Sequence, residues 1–358
     1  MRPIAGSGGP VTDGAKVEPL PYSRDAVASA LGPRWQETLL SAMRWMTLGR
    51  ALDARMQGLQ RQGRVGFYGA ATGQEAVTVA AGLVTRPEDW VLPGLREQLL
   101  ALVRGHSLVT YAHHLFADDR DPARGRNMPC HPTAAEVHYV SMSSVIGTQI
   151  SHAVGVAYGL KLRRDPGVAL AFFGDGATSA NDFHAGLNFG AVWKLPVVFC
   201  CTNNQWAISL PVERQTAAPT LASKSAAYGI PGRRLDGTDF VAVYTSLATA
   251  LDRARAGEGP SFLELVAYRM TPHSSSDDPL RYQPKDWADR ARAHDPVERL
   301  AAWMSEQGLL TPKVRESLGV EADEQVREAI RSAEATAPPT PASLTEDVYS
   351  RTRSPGGE

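Results

Sequence analysis

Apolar residues follow a helical period over the first third of the chain. From Trp35 to Gly63 they recur at steps of three and four residues, which is typical of an amphipathic helix, and Gly63 is a suitable stop. Short helices are also predicted over Gln74–Val84 and Glu97–Val103, on either side of a short strand at Trp90–Leu92. This region is therefore expected to be mainly helical.

Beyond this region, short and wholly apolar runs alternate with helical patterns. The predicted elements are a helix over 148–164, a strand over 168–173, a helix over 181–193, a strand over 197–202, a helix over 239–256 and a strand over 262–268. Such an alternation indicates a parallel sheet with helices on both faces. The predicted fold class is therefore α/β with three layers, and ligands are expected at the carboxyl ends of the strands.

Three parts of the chain differ in composition. Residues 1–35 are rich in Gly and Pro, and they are predicted to form an extended N-terminal arm that lies on a partner or stays mobile. Residues 36–335 are predicted to form the α/β domain, and residues 336–358 a Pro-rich C-terminal tail. Within the domain, residues 118–133 carry many charges and helix breakers, which predicts a functional surface loop.

Charge and cysteine content exclude several classes of function. The chain has 37 basic and 38 acidic residues, so its formal charge of -1 gives no general attraction for nucleic acid or an anionic membrane. It has no apolar run near the length of about 20 residues that a membrane helix needs and no recognisable targeting segment, so a bacterial cytoplasmic protein is expected. Cys200 and Cys201 are adjacent on a predicted strand and face opposite ways, which favours buried thiols over a disulfide.

The strongest candidate chemistry lies between residues 171 and 209. Asp175 is in the turn GDG directly after one predicted strand, and Asn204 follows the next strand. Neighbouring parallel strands end at one edge of the sheet, and carboxylate and amide oxygens suit magnesium bound to phosphate oxygens. A simple glycine turn is the alternative. A dinucleotide site is disfavoured, because the third glycine and the later ribose-binding acid are absent.

These and other motifs resemble the alpha subunit of thiamine diphosphate-dependent 2-oxo acid dehydrogenases, with the branched-chain 2-oxoisovalerate type the most similar. GDG, one helix and one strand, then NN is similar to the thiamine diphosphate signature. The other motifs are, in order, RQGRVGFYG (61–69), GRNMPCH (125–131), SSVIGTQISHAVGVAYGLKLR (143–163), YGIPG (228–232) and YRMTPHSSSDDPLRY (268–282). The resemblance covers about residues 36–335 and implies the thiamine diphosphate-binding fold.

The resemblance also implies roles for individual residues. Magnesium would be held by the side chains of Asp175 and Asn204 and by the carbonyl of Trp206. Contacts to thiamine diphosphate are implied for Arg96, which would bind phosphate, for the backbone of Ile146, and for Ser144, Gly174, Asp175, Gly176, Ala177, Asn204, Trp206 and His273. A potassium site is implied at Ser143, Thr148 and Gln149, although the same residues suit a helix N-cap.

His273, in the loop after the last predicted strand, matches the family's catalytic histidine. Imidazole exchanges protons near neutral pH, as acyl transfer to a lipoyl thiol requires, whereas an ordinary surface histidine is the simpler alternative. The following Ser274 matches a serine that is phosphorylated in mitochondrial relatives. The substrate pocket is implied at Phe67, Leu95 and Ser144, and Phe67 would equally suit an ordinary core.

Two positions depart from the family pattern. Leu95 stands where a tyrosine is usual, and Thr202 stands where many members have an arginine. Loss of a donor to a charged group typically costs about 1.5–3 kcal/mol. The substitutions therefore predict weaker cofactor binding, unless another residue takes over these contacts.

The resemblance finally implies a reaction and partners. The reaction is oxidative decarboxylation of branched-chain 2-oxo acids such as 3-methyl-2-oxobutanoate, with acyl transfer to a lipoyl-lysine of a dihydrolipoyl acyltransferase. A beta subunit in an α2β2 heterotetramer is expected to supply the second α/β domain. The alternatives are a pyruvate or acetoin dehydrogenase alpha subunit and, in another class, an assembly protein that binds cofactor without turnover.

Overall fold

The computed structural model describes residue 17 and residues 19–346 of the chain. Its α-helices are α1 (Arg24–Leu31), α2 (Trp35–Arg61), α3 (Glu75–Val84), α4 (Gln98–Val103), α5 (Leu108–Phe116), α6 (Thr148–Arg163), α7 (Asn181–Val192), α8 (Phe240–Arg255), α9 (Trp287–Ala293), α10 (Pro296–Glu306) and α11 (Pro312–Glu334). Its strands are β1 (Trp90–Leu92), β2 (Ala169–Gly174), β3 (Val197–Asn203), β4 (Trp206–Ala207), β5 (Leu210–Pro211), β6 (Gly232–Asp236) and β7 (Ser261–Val266).

The main sheet has five parallel strands in the order β1-β2-β3-β7-β6. The consecutive strands β2 and β3 are neighbours, and Gly174 at the end of β2 pairs with Thr202 near the end of β3. The loops that follow these two strands therefore leave the sheet at the same edge. This arrangement confirms the predicted α/β class and positions the GDG turn beside the two asparagines.

Helices cover both faces of the sheet and bury one hydrophobic layer on each. The larger layer includes side chains of α2, α3, α8 and α10, and the smaller layer includes side chains of α6 and α7. Cys200 belongs to the first layer and Cys201 to the second, and both are free thiols. The adjacent cysteines therefore face opposite sides, as predicted from the alternation of side chains along a strand.

Helix α5 and strands β4, β5 and β6 were not predicted from the sequence. Helix α5 is short and begins at Ser107, whose Oγ accepts from the amide of Thr110. Strand β6 lies at the edge of the sheet and its sequence GRRLD is mostly exposed, so it lacks an apolar run. Strands β4 and β5 form an antiparallel hairpin of two residues each. The sequence offers no periodicity for elements this short.

The prediction of an extended arm is wrong for residues 24–31, which form α1. Ser23 caps this helix by accepting from the amide of Ala26, and Val27 is buried in the core. The carbonyl of Tyr22 accepts from Trp303 Nε1 at 2.8 Å, so this segment packs on its own chain. Its apolar residues are too few to show a period in the sequence. Residues 1–16 and 18 lie outside the described part, as do residues 347–358 of the predicted tail.

Residues 118–133 form no helix or strand, as predicted, but side chains fix their path. Asp121 accepts from the amides of Ala123 and Gly125, and its carboxylate also lies 3.2 Å from His114 Nδ1. The amide of Asp119 donates to the carbonyl of Ala337, which ties the loop to the residues after α11. Among the described residues, no helix is long and apolar enough to cross a membrane.

Candidate active site

Asp175 begins a short 3-10 helix directly after β2, and its side chain is buried. Its Oδ2 accepts a hydrogen bond of 2.7 Å from Nε2 of Gln215. Burial raises the pKa of Asp175 to about 6, against the hydrogen bond from Gln215 and the charge of Arg269, which lower it. A buried carboxylate with a raised pKa is stabilised by a cation, so the structure favours a positive ligand at this position.

The loop after β3 packs directly against the GDG turn. A Cβ atom at Gly176 would lie only 2.7 Å from the Cβ of Ala207, so these two segments approach closely enough to require glycine. Asn204 is buried, and its Oδ1 accepts from the amide of Trp206 at 3.2 Å. The structure thus brings Asp175, Asn204 and Trp206 to one edge of the sheet, where the sequence predicted them.

The chemistry of these donors fits a hard cation. The three predicted ligands supply a carboxylate, an amide oxygen and a backbone carbonyl, which suit magnesium better than a softer metal. Among the described residues, no group of three or more His, Cys, Asp or Glu could hold a metal ion. A site of this composition therefore relies on further oxygen atoms from a ligand, as a diphosphate would provide.

Arg269, at the start of the loop after β7, was missed by the sequence analysis. Its guanidinium is fully buried and donates to the carbonyl of Ile208 at 2.8 Å, to that of Trp206 at 3.4 Å and to the hydroxyl of Tyr282. An ion pair of 3.8 Å with Asp277 completes its surroundings. Arg269 therefore fixes the β4–β5 hairpin to the loop that carries His273.

Arg96 is buried beneath the same loop. It donates to the carbonyl of Ala70, and its Nη2 donates to the carbonyl of His273 at 2.8 Å. Burial and the charge of Arg269 lower the pKa of Arg96 to about 10. Among the described residues, no carboxylate oxygen lies within ion-pair distance of this guanidinium, although Asp53 and Glu97 act on it from farther away. A buried arginine held by carbonyl oxygens suits a phosphate-binding role.

His273 faces Arg96, with Nδ1 at 3.4 Å from Nη2 of the arginine. An arginine only donates, so Nδ1 is the unprotonated nitrogen and the neutral ring carries its proton on Nε2. Burial, Arg96 and Arg269 lower the pKa of His273 to about 4. The amide of His273 donates to Asp277 at 2.7 Å. The structure therefore brings together His273 and Arg96, two residues whose roles the resemblance implies.

Two of the three predicted pocket residues, Phe67 and Ser144, lie against His131, which was not predicted from the sequence. Phe67 is half-buried, with its ring centroid 6.3 Å from that of His131. The other side of His131 is occupied by Ser144, whose Oγ is hydrogen-bonded to Nε2. Leu95 packs against Gly69, where a Cβ atom would lie 3.2 Å from the leucine side chain. Phe67 therefore packs against the core, and its role in a substrate pocket stays a prediction.

The potassium prediction and its helix-cap alternative have different outcomes. Thr148 begins α6, but the cap residue is Gly147, which has no side chain, so the capping interpretation is wrong. Gln149 donates to the carbonyl of Phe172 at 3.0 Å and leaves its buried Oε1 without a partner among the described residues. Ser143 Oγ accepts from the amide of Val145. A cation site at Ser143, Thr148 and Gln149 stays a prediction.

The predicted roles of Thr202 and Ile146 also stay predictions. The hydroxyl of Thr202 is buried and has no partner among the described residues. Ile146 and its neighbour Val145 are exposed by 64% and 68%, beside Ser144. Two large apolar side chains in solvent next to a candidate site indicate a surface that a ligand or partner covers.

Comparison with known proteins gives consistent matches. The model of the family "Dehydrogenase E1 component" matches residues 43–342. The chain is 41% identical over 307 residues to 3-methyl-2-oxobutanoate dehydrogenase subunit alpha of Mycobacterium tuberculosis (strain ATCC 25618 / H37Rv), covering 85% of this chain and 80% of the relative. It is 37% identical over 324 residues to 2-oxoisovalerate dehydrogenase subunit alpha of Bacillus subtilis (strain 168), covering 90% and 98%. It is 39% identical over 316 residues to pyruvate dehydrogenase E1 component subunit alpha of Bacillus cereus, covering 88% and 83%.

Proposed function

The chain belongs to the dehydrogenase E1 component family, which depends on thiamine diphosphate, and on this premise we propose that it decarboxylates branched-chain 2-oxo acids. It is the alpha subunit of a 2-oxo acid dehydrogenase, and 3-methyl-2-oxobutanoate is the proposed substrate. The observation that carries the proposal is the buried carboxylate of Asp175 against the loop of Asn204 and Trp206. We also propose the bacterial cytoplasm as its location, and the relatives named above are from bacteria.

Each residue of the candidate site has a proposed role in this reaction. Asp175, Asn204 and the Trp206 carbonyl would hold Mg²⁺ at the diphosphate, and Arg96 would neutralise phosphate charge. When bound, thiamine diphosphate would supply a nucleophilic carbon and an electron sink for the decarboxylation of a 2-oxo acid. The neutral ring of His273 would present its Nε2–H, on the side away from Arg96, as a hydrogen-bond donor to the reacting groups.

A beta subunit completes the proposed enzyme. A carboxylate that activates the cofactor's pyrimidine ring is expected from this partner, and a dihydrolipoyl acyltransferase accepts the acyl group. The exposed side chains of Val145 and Ile146, beside the half of the site described above, support a partner surface there. We propose an α2β2 tetramer on this basis.

The proposal is tested by co-expression with the cognate beta chain. Carbon dioxide release is measured from 3-methyl-2-oxobutanoate and from pyruvate, with and without thiamine diphosphate and Mg²⁺, and Asp175→Asn is the inactive control. Cofactor-dependent turnover that favours the branched acid is expected. A preference for pyruvate would contradict the proposed branched-chain substrate. Pyruvate is the second candidate substrate, because the Bacillus cereus relative is a pyruvate dehydrogenase subunit. A tetramer that binds cofactor without turnover would support the assembly protein instead.

A further inference from the structure

Gln215 lies next to the predicted metal site, although no motif points to it. It follows a single turn of 3-10 helix over Val212–Arg214 and is half-buried. Its Nε2 donates to Asp175 Oδ2 at 2.7 Å and to the carbonyl of Leu210 at 3.5 Å. The short bond to Asp175 occupies one of the two carboxylate oxygens.

The hairpin after β3 brings this side chain to Asp175. In the hairpin of β4 and β5, Trp206 pairs with Pro211 and Ala207 pairs with Leu210. The chain therefore reverses within a few residues. The amide of Val212 donates to the carbonyl of Gln205 at 3.1 Å, and Arg269 holds the carbonyl of Ile208. One segment from residue 204 to 215 therefore carries Asn204, the Trp206 carbonyl and the amide that binds Asp175.

We propose that Gln215 is a positioning residue that makes Asp175 a ligand through a single oxygen and so favours Mg²⁺ over Ca²⁺ at this site. Mg²⁺ requires a compact octahedral shell, whereas Ca²⁺ accepts six to eight oxygens and readily takes both oxygens of a carboxylate. A donor on Oδ2 leaves Oδ1 to the cation. This inference rests on the proposed function, because it assumes a divalent cation at Asp175.

The charges around Asp175 do not produce a preference for Mg²⁺ over Ca²⁺. Arg269 and Glu213 act on its carboxylate with opposite signs, and neither is hydrogen-bonded to it. A charge changes the affinity for every divalent cation in the same direction. Only a directed donor to one oxygen distinguishes a cation that needs one carboxylate oxygen from a cation that prefers two. The ratio of the two affinities is therefore the diagnostic quantity.

The test replaces Gln215 with leucine, which removes the donor, and with asparagine, which is one methylene shorter. The matched control is Gln325→Leu on α11, where an exposed glutamine donates to the carboxylate of Glu321 at 3.2 Å. The co-expressed tetramer is saturated with thiamine diphosphate and titrated with Mg²⁺ or Ca²⁺ by calorimetry. Hydrogen-bond partners of metal ligands typically contribute about 10- to 100-fold to metal affinity.

We expect both Gln215 variants to lose about tenfold or more in Mg²⁺ affinity and much less in Ca²⁺ affinity, with no change for Gln325→Leu. Equal losses for both ions, or no loss, would overturn the inference, because a merely structural role does not change the ratio. The proposed function fails by a different result. If the wild-type tetramer and Asp175→Asn bind Mg²⁺ equally well, the site itself is wrong.

Discussion

His273 is a histidine that the protein keeps neutral. Its ring is partly buried, Arg96 donates to its carbonyl and faces Nδ1, and Arg269 adds a second positive charge nearby. Asp277, which accepts from the amide of His273, acts in the opposite direction but does not outweigh burial and the two arginines. The ring is therefore a neutral imidazole with its proton on Nε2.

The charge state of His273 is directly measurable. Its pKa is about 4 in the folded chain and about 6.5 in an unfolded one. The unfolded chain thus binds the proton first, so this group lowers stability as the pH falls from about 6.5 to about 4. We expect its C2 proton resonance in NMR, assigned with His273→Asn, to titrate below pH 5. A midpoint at or above 6.5 would contradict this environment.

Replacement of His273 separates binding from proton transfer. We expect His273→Ala to leave the affinity for Mg²⁺ and thiamine diphosphate nearly unchanged, because the proposed metal ligands lie on other loops. Acylation of a lipoyl domain should fall by about 100-fold or more, the usual contribution of a positioned acid or base. Stopped-flow assays of lipoyl acylation by the tetramer give the rate, and an unchanged rate would exclude His273 from the mechanism.

Among individual residues, the sequence predicts the site residues that directly follow a strand. It does not predict those whose position depends on irregular loops. Asp175 and Asn204 were predictable because neighbouring parallel strands end together. Gln215 and Arg269 were not, because their contacts depend on a four-residue hairpin and on a side chain that reaches across the loop after β7. Roles assigned to individual residues by resemblance stay predictions.

Among the elements, the segment between α2 and α3 is held largely by one buried carboxylate of α2. Asp53 on α2 accepts from Tyr68 Oη at 2.7 Å, from the amide of Ala71 at 2.9 Å and from Thr72 Oγ1 at 2.6 Å. Ala70, within this segment, accepts from Arg96. Gly73 ends it with φ +96°, and a Cβ there would lie 2.0 Å from the carbonyl of Tyr268. Asp53 thus shapes one wall of the site.

Removal of this carboxylate is expected to be costly. Asp53→Ala leaves two hydroxyls and one amide without their acceptor, and a buried unpaired group costs about 1–3 kcal/mol. We expect the free energy of unfolding in urea to fall by about 3 kcal/mol, and by less for Asp53→Asn, which keeps an acceptor. The control, Asp323→Ala, removes an exposed ion pair with Arg327 and should cost under about 0.5 kcal/mol. Equal values for Asp53→Ala and the control would refute the role of this carboxylate.

Most regular elements were predictable, since their apolar periods and their caps agree. Asp239 caps α8 by accepting from the amide of Ala242, and Pro312 follows the cap residue Thr311 at the start of α11. Helix α1 was missed because only Val27 within it is buried. Edge strand β6 was missed because its residues are polar and exposed. Local pattern therefore specifies the buried elements better than the peripheral ones.

In the whole molecule, the faces of the sheet carry the hydrophobic core and its carboxyl edge carries the candidate site. Two hydrophobic layers hold the sheet, and the candidate site is built from the loops at its carboxyl edge. The loops after β2, β3 and β7 meet there, and Arg96 approaches from the residues before α4. This position is where ligands bind in open parallel sheets. The exposed apolar side chains of Val145 and Ile146 lie beside the site and offer a surface to the proposed beta subunit.

One diffraction measurement tests most directly whether this edge holds a cation on the cofactor. The co-expressed tetramer is crystallised with thiamine diphosphate and Mn²⁺, and the metal is located from its anomalous signal. One Mn²⁺ is expected in direct contact with Asp175, with Asn204 Oδ1 and with the Trp206 carbonyl, and diphosphate oxygens are expected among its remaining ligands. A metal elsewhere, or a diphosphate bound away from the GDG turn, would contradict the site.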